Sequence, residues 1–375
     1  MVKKMQMGLL DAMASGVVRP KRKPDQKLEP AIHFEVRELR ETPAIDADHP
    51  DCRGNKYGFE GGSVVKFNGT YHLFVSEMAG DPFWIRMRLA HWSSPDGIKW
   101  KRQSTIKETS GQPRAVTGLP HESVWAPMPI FNEADNRWDL FYVAYDTGGY
   151  VGGRIWRATS TAQGQTGIGG PYKDMGIILQ PDRESQKWEG GQGTDSFFPY
   201  RVKDRWFAFY GSHGGKPGWQ VGLAESAALA GPWKRCAKGN PLSIEPVFIE
   251  NPVVSRIGDL YVAVYDSDIV HAKDSEYHRE AHSVGYATSG DGIEWSAGSR
   301  IIVQPPGPAN WSTDIRTPLG LVNEGSDKFS LFYTAENKKR FWPVSMVRVK
   351  MTTTPTLRGG RAKTHVSQPT FECPA

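Results

Sequence analysis

The same hairpin recurs five times along the chain, and this repetition constrains the fold more than any other feature. The units are "FEGGSVVKFNGTYHLFVSE" (59–77), "HESVWAPMPIFNEADNRWDLFYVAY" (121–145), "TDSFFPYRVKDRWFAFYGS" (194–212), "IENPVVSRIGDLYVAVYDSD" (249–268) and "TDIRTPLGLVNEGSDKFSLFYTA" (313–335). Each joins a short strand to one rich in Phe, Tyr, Leu and Val. The joining turns are Asn68-Gly69, Ala134-Asp135-Asn136, Lys203-Asp204, Gly258-Asp259 and Gly325-Ser326-Asp327. Such residues supply positive φ or close a turn with a side chain. Four units end on a related phrase: "LAHWSSPDGIKWKR", "RATSTAQGQTGIGGPYKD", "LAESAALAGPWKR" and "YATSGDGIEWSA". These tails read as turns carrying an aromatic plug.

Short antiparallel strands repeated in this way would expose many edges in an open sheet. Radial packing of one small sheet on the next around an axis removes the problem, which predicts an all-β, five-bladed β-propeller. The chain shows no sustained amphipathic helical pattern of the length that βαβ units need, so a parallel α/β fold is disfavoured. The expected organisation is a lead-in arm over 1–40, the propeller over 41–352 and a tail over 353–375. The arm contains a strand-like stretch, "AIHFEVREL", suited to closing the ring.

Composition agrees with a large β core: 38% of residues are hydrophobic, and Trp, Tyr and Phe number 13, 13 and 16. The 40 Gly and 27 Pro show no collagen period and read as turn punctuation. The net charge of +5 comes largely from stretches near the ends such as "RPKRKPDQK" and "LRGGRAK", a pattern of solvated tails with no nucleic-acid partner. Cys52, Cys236 and Cys373 are too few and too scattered for a disulfide framework or a zinc motif. The basic N-terminus lacks an apolar run of signal-peptide length and no other segment reaches membrane-spanning length, so a cytoplasmic protein without a membrane partner is expected.

An acid stands at or beside the start of the first strand in every unit: Glu60, Glu122, Asp195, Glu250 and Asp314. Successive separations are 62, 73, 55 and 64 residues, about one blade each. If inner strands begin at the same end of the axis, these side chains converge on one mouth. Like charges crowded into a partly desolvated pocket raise one another's pKa and cost stability, so such a cluster points to function. Glycosidic cleavage needs this kind of set: a protonated acid for the leaving oxygen and an ionised carboxylate on the other face of the sugar. A third carboxylate can hold the acid's pKa high.

The motifs carry a resemblance. "SVWAPMPIF" with "WDLFYVAY", "TDSFFPYRVKDRWFAFYGS" and "IENPVVSRIGDLYVAVYDS" resemble the second, third and fourth blades of glycoside hydrolase family 43. The "AGPWKR" and "DGIKW" closings also recur in its invertase-like relatives. The likeness spans about residues 50–350 and implies a glycoside hydrolase for an arabinofuranosyl, xylosyl or related sugar of plant or algal glycans. Loops over 78–88, 146–154 and 266–283, long enough to wall one end of the funnel, point to exo action on the terminal residue. Carried across, Glu250 is the general acid, Asp195 orients it and raises its pKa, and Glu60 is the base or nucleophile. This chain departs from the pattern at Glu60-Gly61-Gly62, where the family has Asp followed by Pro. The added methylene displaces the carboxylate by about 1.5 Å, which leaves Glu122 as the second candidate for that role and the anomeric outcome open.

Candidate substrate-binding residues beside Glu122 and Asp314 are Trp84, Arg86, Trp125, His213, Trp219 and Arg316, because sugar sites combine aromatic platforms with charged hydrogen-bond partners. The cluster His271, His278 and His282 falls on no metal-ligand spacing and reads as a pocket-shaping loop. No cofactor is required, although the resemblance admits calcium or another ion in the axial channel. Two other readings stay open on the same fold: a phosphorylase or transglycosylase, and a non-catalytic carbohydrate-binding propeller.

Overall fold

The computed structural model describes residues 31–109, 123–145, 152–214, 218–267, 282–303 and 311–354. The strand order is β1 (Ala31–Glu38), then β2 (Phe59–Phe67), β3 (Thr70–Met78), β4 (Met87–Ser94) and β5 (Lys101–Glu108). The next four are β6 (Ser123–Asn132), β7 (Arg137–Tyr145), β8 (Arg154–Ser160) and β9 (Tyr172–Leu179). Then come β10 (Asp195–Val202), β11 (Arg205–His213), β12 (Trp219–Ser226) and β13 (Lys234–Arg235), followed by β14 (Glu250–Ile257), β15 (Leu260–Asp266), β16 (Ser283–Ser289) and β17 (Ser299–Ile302). The last are β18 (Asp314–Asn323), β19 (Lys328–Glu336) and β20 (Val344–Thr354).

These strands form five antiparallel sheets of four. Four are consecutive meanders, β2–β5, β6–β9, β10–β13 and β14–β17; the fifth is ordered β18-β19-β20-β1. The inner strands β2, β6, β10, β14 and β18 pack side by side in a closed ring. The expected five-bladed propeller is thus the observed fold. Its closure joins the first and last described strands: β1 pairs with β20 from Ala31↔Thr354 to Glu38↔Arg348. Phe34 edges onto Tyr286 of the fourth sheet and Phe329 of its own, centroids 5.2 and 6.0 Å away.

The recurring sequence features have distinct structural jobs. Asn68, Asn136, Lys203, Gly258 and Ser326 all take positive φ at the hairpin turns between first and second strands. In the closing phrases Ser94 and Ser289 accept hydrogen bonds from the Gly97 and Gly292 amides at 2.9 and 2.8 Å, which folds the chain so that an aromatic turns inward. Trp100 thereby meets Phe332 of the fifth sheet, and Trp295 meets Phe209 of the third. The aromatic plugs therefore seal joints between blades.

A second regularity positions the site. Near the start of each inner strand the pairing register slips: Glu60 to Gly62, Trp125 to Met128, Asp195 to Phe198, Glu250 to Val253 and Ile315 to Pro318. In the first four blades the residue after the last paired one is left-handed: Gly61, Ala126, Ser196 and Asn251, with φ between 47° and 61°. A bulge re-aims the side chain beside it and bends the strand, so the residue just before each left-handed position is presented at the axis. Gly62 serves the same bend in the first blade: at φ 137° a Cβ there would lie 2.1 Å from the Phe74 carbonyl oxygen.

Candidate active site

The bulged ends of the inner strands surround a cavity of about 270 Å³ on the axis, with a residue from each blade in its wall: Glu60, Trp125, Asp195, Glu250 and Arg316 among them. The sequence pattern grouped five acids, and among the described residues three of them, Glu60, Asp195 and Glu250, meet here. In the second blade the residue in register with Glu60, Asp195 and Glu250 is Trp125, while Glu122 lies outside the described residues. In the fifth blade Asp314 pairs with Glu336 one step before the bulge and does not line the cavity; Arg316 does. Among the described residues the axial set, one from each blade, is therefore three carboxyls, an indole and a guanidinium.

Glu60 is buried, and its two oxygens differ. Oε1 accepts a hydrogen bond from the Thr317 hydroxyl at 2.6 Å and lies 3.4 Å from Arg316 Nε. Oε2 is buried without a hydrogen-bond partner among the described residues. Burial raises the pKa of Glu60, while the Arg316 charge and the Thr317 hydrogen bond act against that rise. Arg316 is itself clasped, its guanidinium 5.6 Å from the Trp84 ring and 5.2 Å from the Trp342 ring.

Asp195 is held from two sides. The Tyr145 hydroxyl donates to Oδ2 and the Ser196 amide to Oδ1. Gln192 fixes the tyrosine by donating Nε2–H to its oxygen at 2.9 Å. Burial pushes the Asp195 pKa from 3.8 up to about 7, although the Ser196 hydrogen bonds favour the ionised form. Glu250 is raised well above the ordinary carboxyl range, first by loss of hydration and then by the charges of Asp266, Asp195 and Glu60, with Arg316 opposing. Asp266 is Glu250's cross-strand partner on β15 and is buried.

The aromatic wall is built as a unit. Trp84 sits at φ 70° in the β3–β4 connection and stacks on Trp125, centroids 5.4 Å apart and planes 27° apart. Ser123 ties the two together: its hydroxyl donates to the Trp84 carbonyl at 3.0 Å and accepts Trp125 Nε1–H at 2.6 Å. Trp219 lines the cavity, whereas His213 stands behind it, edge-on at 5.7 Å. Arg86 is exposed and outside the lining. His271 and His278 fall outside the described residues; His282 donates its backbone amide to Asp314 at 3.3 Å. Among the described residues no group of three or more His, Cys, Asp or Glu is arranged to hold a metal ion.

Tyr145, Gln192, Asn251, Asp266, Thr317 and Trp342 were not marked as site residues in the sequence pattern. Asn251 had a visible signal as the residue following the fourth-blade acid. The others depend on cross-strand register or on packing between blades.

The state of Asp195 has a measurable consequence for stability. An unfolded Asp ionises near pH 3.8, whereas the folded one keeps its proton to about 7. Between those values the folded state binds more protons, so stability falls as pH rises, and the loss is complete above pH 7. Asn does not titrate. Between pH 4 and 8 the stability of Asp195→Asn relative to wild type should therefore improve by roughly 3–5 kcal/mol, at about 1.36 kcal/mol per pKa unit. Urea unfolding at the two pH values measures it, and an unchanged difference contradicts a protonated Asp195.

No protein-family model matches the chain, and neither does any curated protein. Solved structures do match in fold. A family 117 glycoside hydrolase of the marine bacterium Zobellia galactanivorans superposes with a TM-score of 0.57 at 15% identity, over 85% of this chain and 90% of the other. A GH43 β-1,3-galactosidase gives 0.54 at 18% identity over 82% and 59%. The GH32 β-fructofuranosidase BmSUC1 of Bombyx mori gives 0.55 at 14% identity over 84% and 66%. The chain has the five-bladed β-propeller fold that glycoside hydrolases of families 43, 117 and 32 share.

Proposed function

We propose that the protein is an exo-acting glycoside hydrolase in which Glu250 is the general acid, Glu60 the base that activates water and Asp195 the residue that orients Glu250. The observation that carries this reading is the unequal treatment of two carboxyls in one cavity. Burial and three neighbouring acids favour a proton on Glu250, as a leaving-group acid requires. Glu60 faces a guanidinium and a hydroxyl donor on one oxygen and keeps the other without a hydrogen-bond partner among the described residues, as suits a base. Environments that push two carboxyl pKa values apart assign acid and base.

Exo action is supported by the size and walls of the cavity. At about 270 Å³ it is smaller than the roughly 300–1,000 Å³ of drug-sized ligand pockets. It suits one terminal sugar stacked on indole, in keeping with the arabinofuranosyl or xylosyl residue that the sequence resemblance implies. The chemistry needs only the carboxyls and water. A phosphorylase would need cationic side chains free to take phosphate; among the described residues lining the cavity Arg316 is the one cation, and Glu60 already faces it.

The test is a screen of aryl glycosides and plant and algal oligosaccharides, with and without phosphate. The expected outcome is release of a single terminal sugar at a rate independent of phosphate. Binding without turnover across the screen, or turnover that depends on phosphate, would overturn the proposal.

A further inference from the structure

Among the described residues Phe83 is the one exposed aromatic side chain, at 39%. Isolated exposed apolar side chains are ordinary on a protein surface, but Phe83 is set apart by its place. It directly precedes Trp84, which lines the axial cavity, and meets the Trp84 ring edge-on with centroids 5.0 Å apart. Trp84 in turn stacks on Trp125. Tyr57 and Trp342 complete the surroundings of Phe83, also edge-on, at 4.9 and 6.3 Å. An aromatic strip thus begins in the cavity wall and ends on an exposed ring.

Topology puts that ring at the cavity end of the propeller. Phe59 pairs with Glu77, so β3 finishes beside the start of β2, where Glu60 enters the cavity. The β3–β4 connection that carries Phe83 therefore leaves on the same side. This connection is tied at several points. The Ala79 amide donates to the Arg86 carbonyl at 2.9 Å, and the Ile85 and Arg86 amides donate to the Pro82 carbonyl at 3.1 and 3.0 Å. Asp81 accepts from Lys56 and, at 2.6 Å, from the Tyr57 hydroxyl. A ring fixed in advance loses little freedom when a ligand stacks on it.

The cavity decides what reaches this ring. When the terminal sugar fills it, the rest of the substrate lies toward the mouth. The chemistry around Phe83 suits a second sugar: the ring offers an apolar face for C–H groups, while the exposed Lys56 and Asp81 stand near enough to meet hydroxyls. We propose that Phe83 is a stacking platform for the first sugar on the leaving-group side, so that the substrate is an oligosaccharide whose penultimate residue lies on this ring. The assignment to the leaving-group side rests on the hydrolase reading above; the stacking contact does not.

Two measurements on the full-length protein separate the contact from the reaction. Both use the methyl glycosides, disaccharides and trisaccharides of arabinofuranose and of xylose, with thermal unfolding to confirm that each variant is folded. The first is calorimetric binding to Glu250→Gln, alone and combined with Phe83→Ala or Phe83→Trp. In Glu250→Gln the disaccharide should bind about 3- to 15-fold more tightly than the methyl glycoside. Phe83→Ala should remove most of that advantage and Phe83→Trp should keep it. The second is steady-state turnover with an otherwise native sequence. The same advantage should appear in KM rather than kcat, because stacking holds substrate and transition state alike.

A disaccharide advantage that survives in Phe83→Ala, or turnover with no such advantage, overturns the platform and leaves the hydrolase reading intact. A Phe83-dependent advantage in binding without turnover of any of these sugars keeps the contact and overturns the hydrolase reading. Neither binding nor turnover of any of them overturns both.

Discussion

Glu250→Gln should lower kcat/KM by about 10²–10⁴-fold on substrates with a sugar or alkyl leaving group, the contribution expected of a positioned general acid. The replacement keeps the shape of the side chain and its capacity to donate hydrogen bonds, and it removes the proton that can be transferred. Aryl glycosides with acidic phenol leaving groups need little protonation and should lose far less. The pH profile supplies an independent check. Glu250 works protonated, and its pKa lies well above the usual range, because burial and the neighbouring Asp266, Asp195 and Glu60 disfavour the charge more than Arg316 favours it. Wild-type activity should therefore persist above the ordinary carboxyl range and fall as pH rises through that elevated value. The alkaline fall should be absent from Glu250→Gln on a phenol-leaving substrate. Full activity of the variant on an alkyl glycoside would remove Glu250 from the mechanism.

The contrast between leaving groups tests the geometry as well as the residue. In the fold, Glu250 reaches the cavity because the chain slips register between Glu250 and Val253 with Asn251 left-handed. Asp195 and Glu60 reach it by the same slip at Ser196 and Gly61. Three bulges on three blades bring together residues that lie 55 or more positions apart in the chain.

Those three acids were legible in the sequence because each directly precedes the bulge, where the strand pattern begins. Asp314 shows the limit of that argument. It stands at a strand start, yet the axial position is fixed by which residue precedes the bulge, and in that blade the register selects the stretch around Ile315. A one- to three-residue difference along a strand is invisible to hydrophobic alternation but decides what faces the axis. Arg316 was found because it follows a rim acid by two residues, although its partner is Glu60, from another blade, rather than Asp314. Asp266 and Thr317 carry no local signal, since one matters as a cross-strand neighbour and the other as a contact between blades. The hairpin turns, by contrast, were readable from residue type alone, because positive φ is a local demand.

Glu60→Gln should be the most damaging change for water activation, and its signature should differ from that of Glu250→Gln. Loss of the base slows attack whatever the leaving group, so aryl and alkyl glycosides should fall together, by about 10²–10⁴-fold. Glu60→Asp separates position from charge. Shortening by one methylene withdraws the carboxylate by about 1.5 Å, enough to break the 2.6 Å contact with Thr317 and move the second oxygen away from the cavity. A large loss in Glu60→Asp despite an intact charge is therefore expected. The same kinetics on Glu122→Gln discriminate the two candidates. Near-normal rates there, with collapse in both Glu60 variants, place the base on the first blade. The reverse result would move water activation to the second blade and leave Glu60 as the partner that holds Arg316.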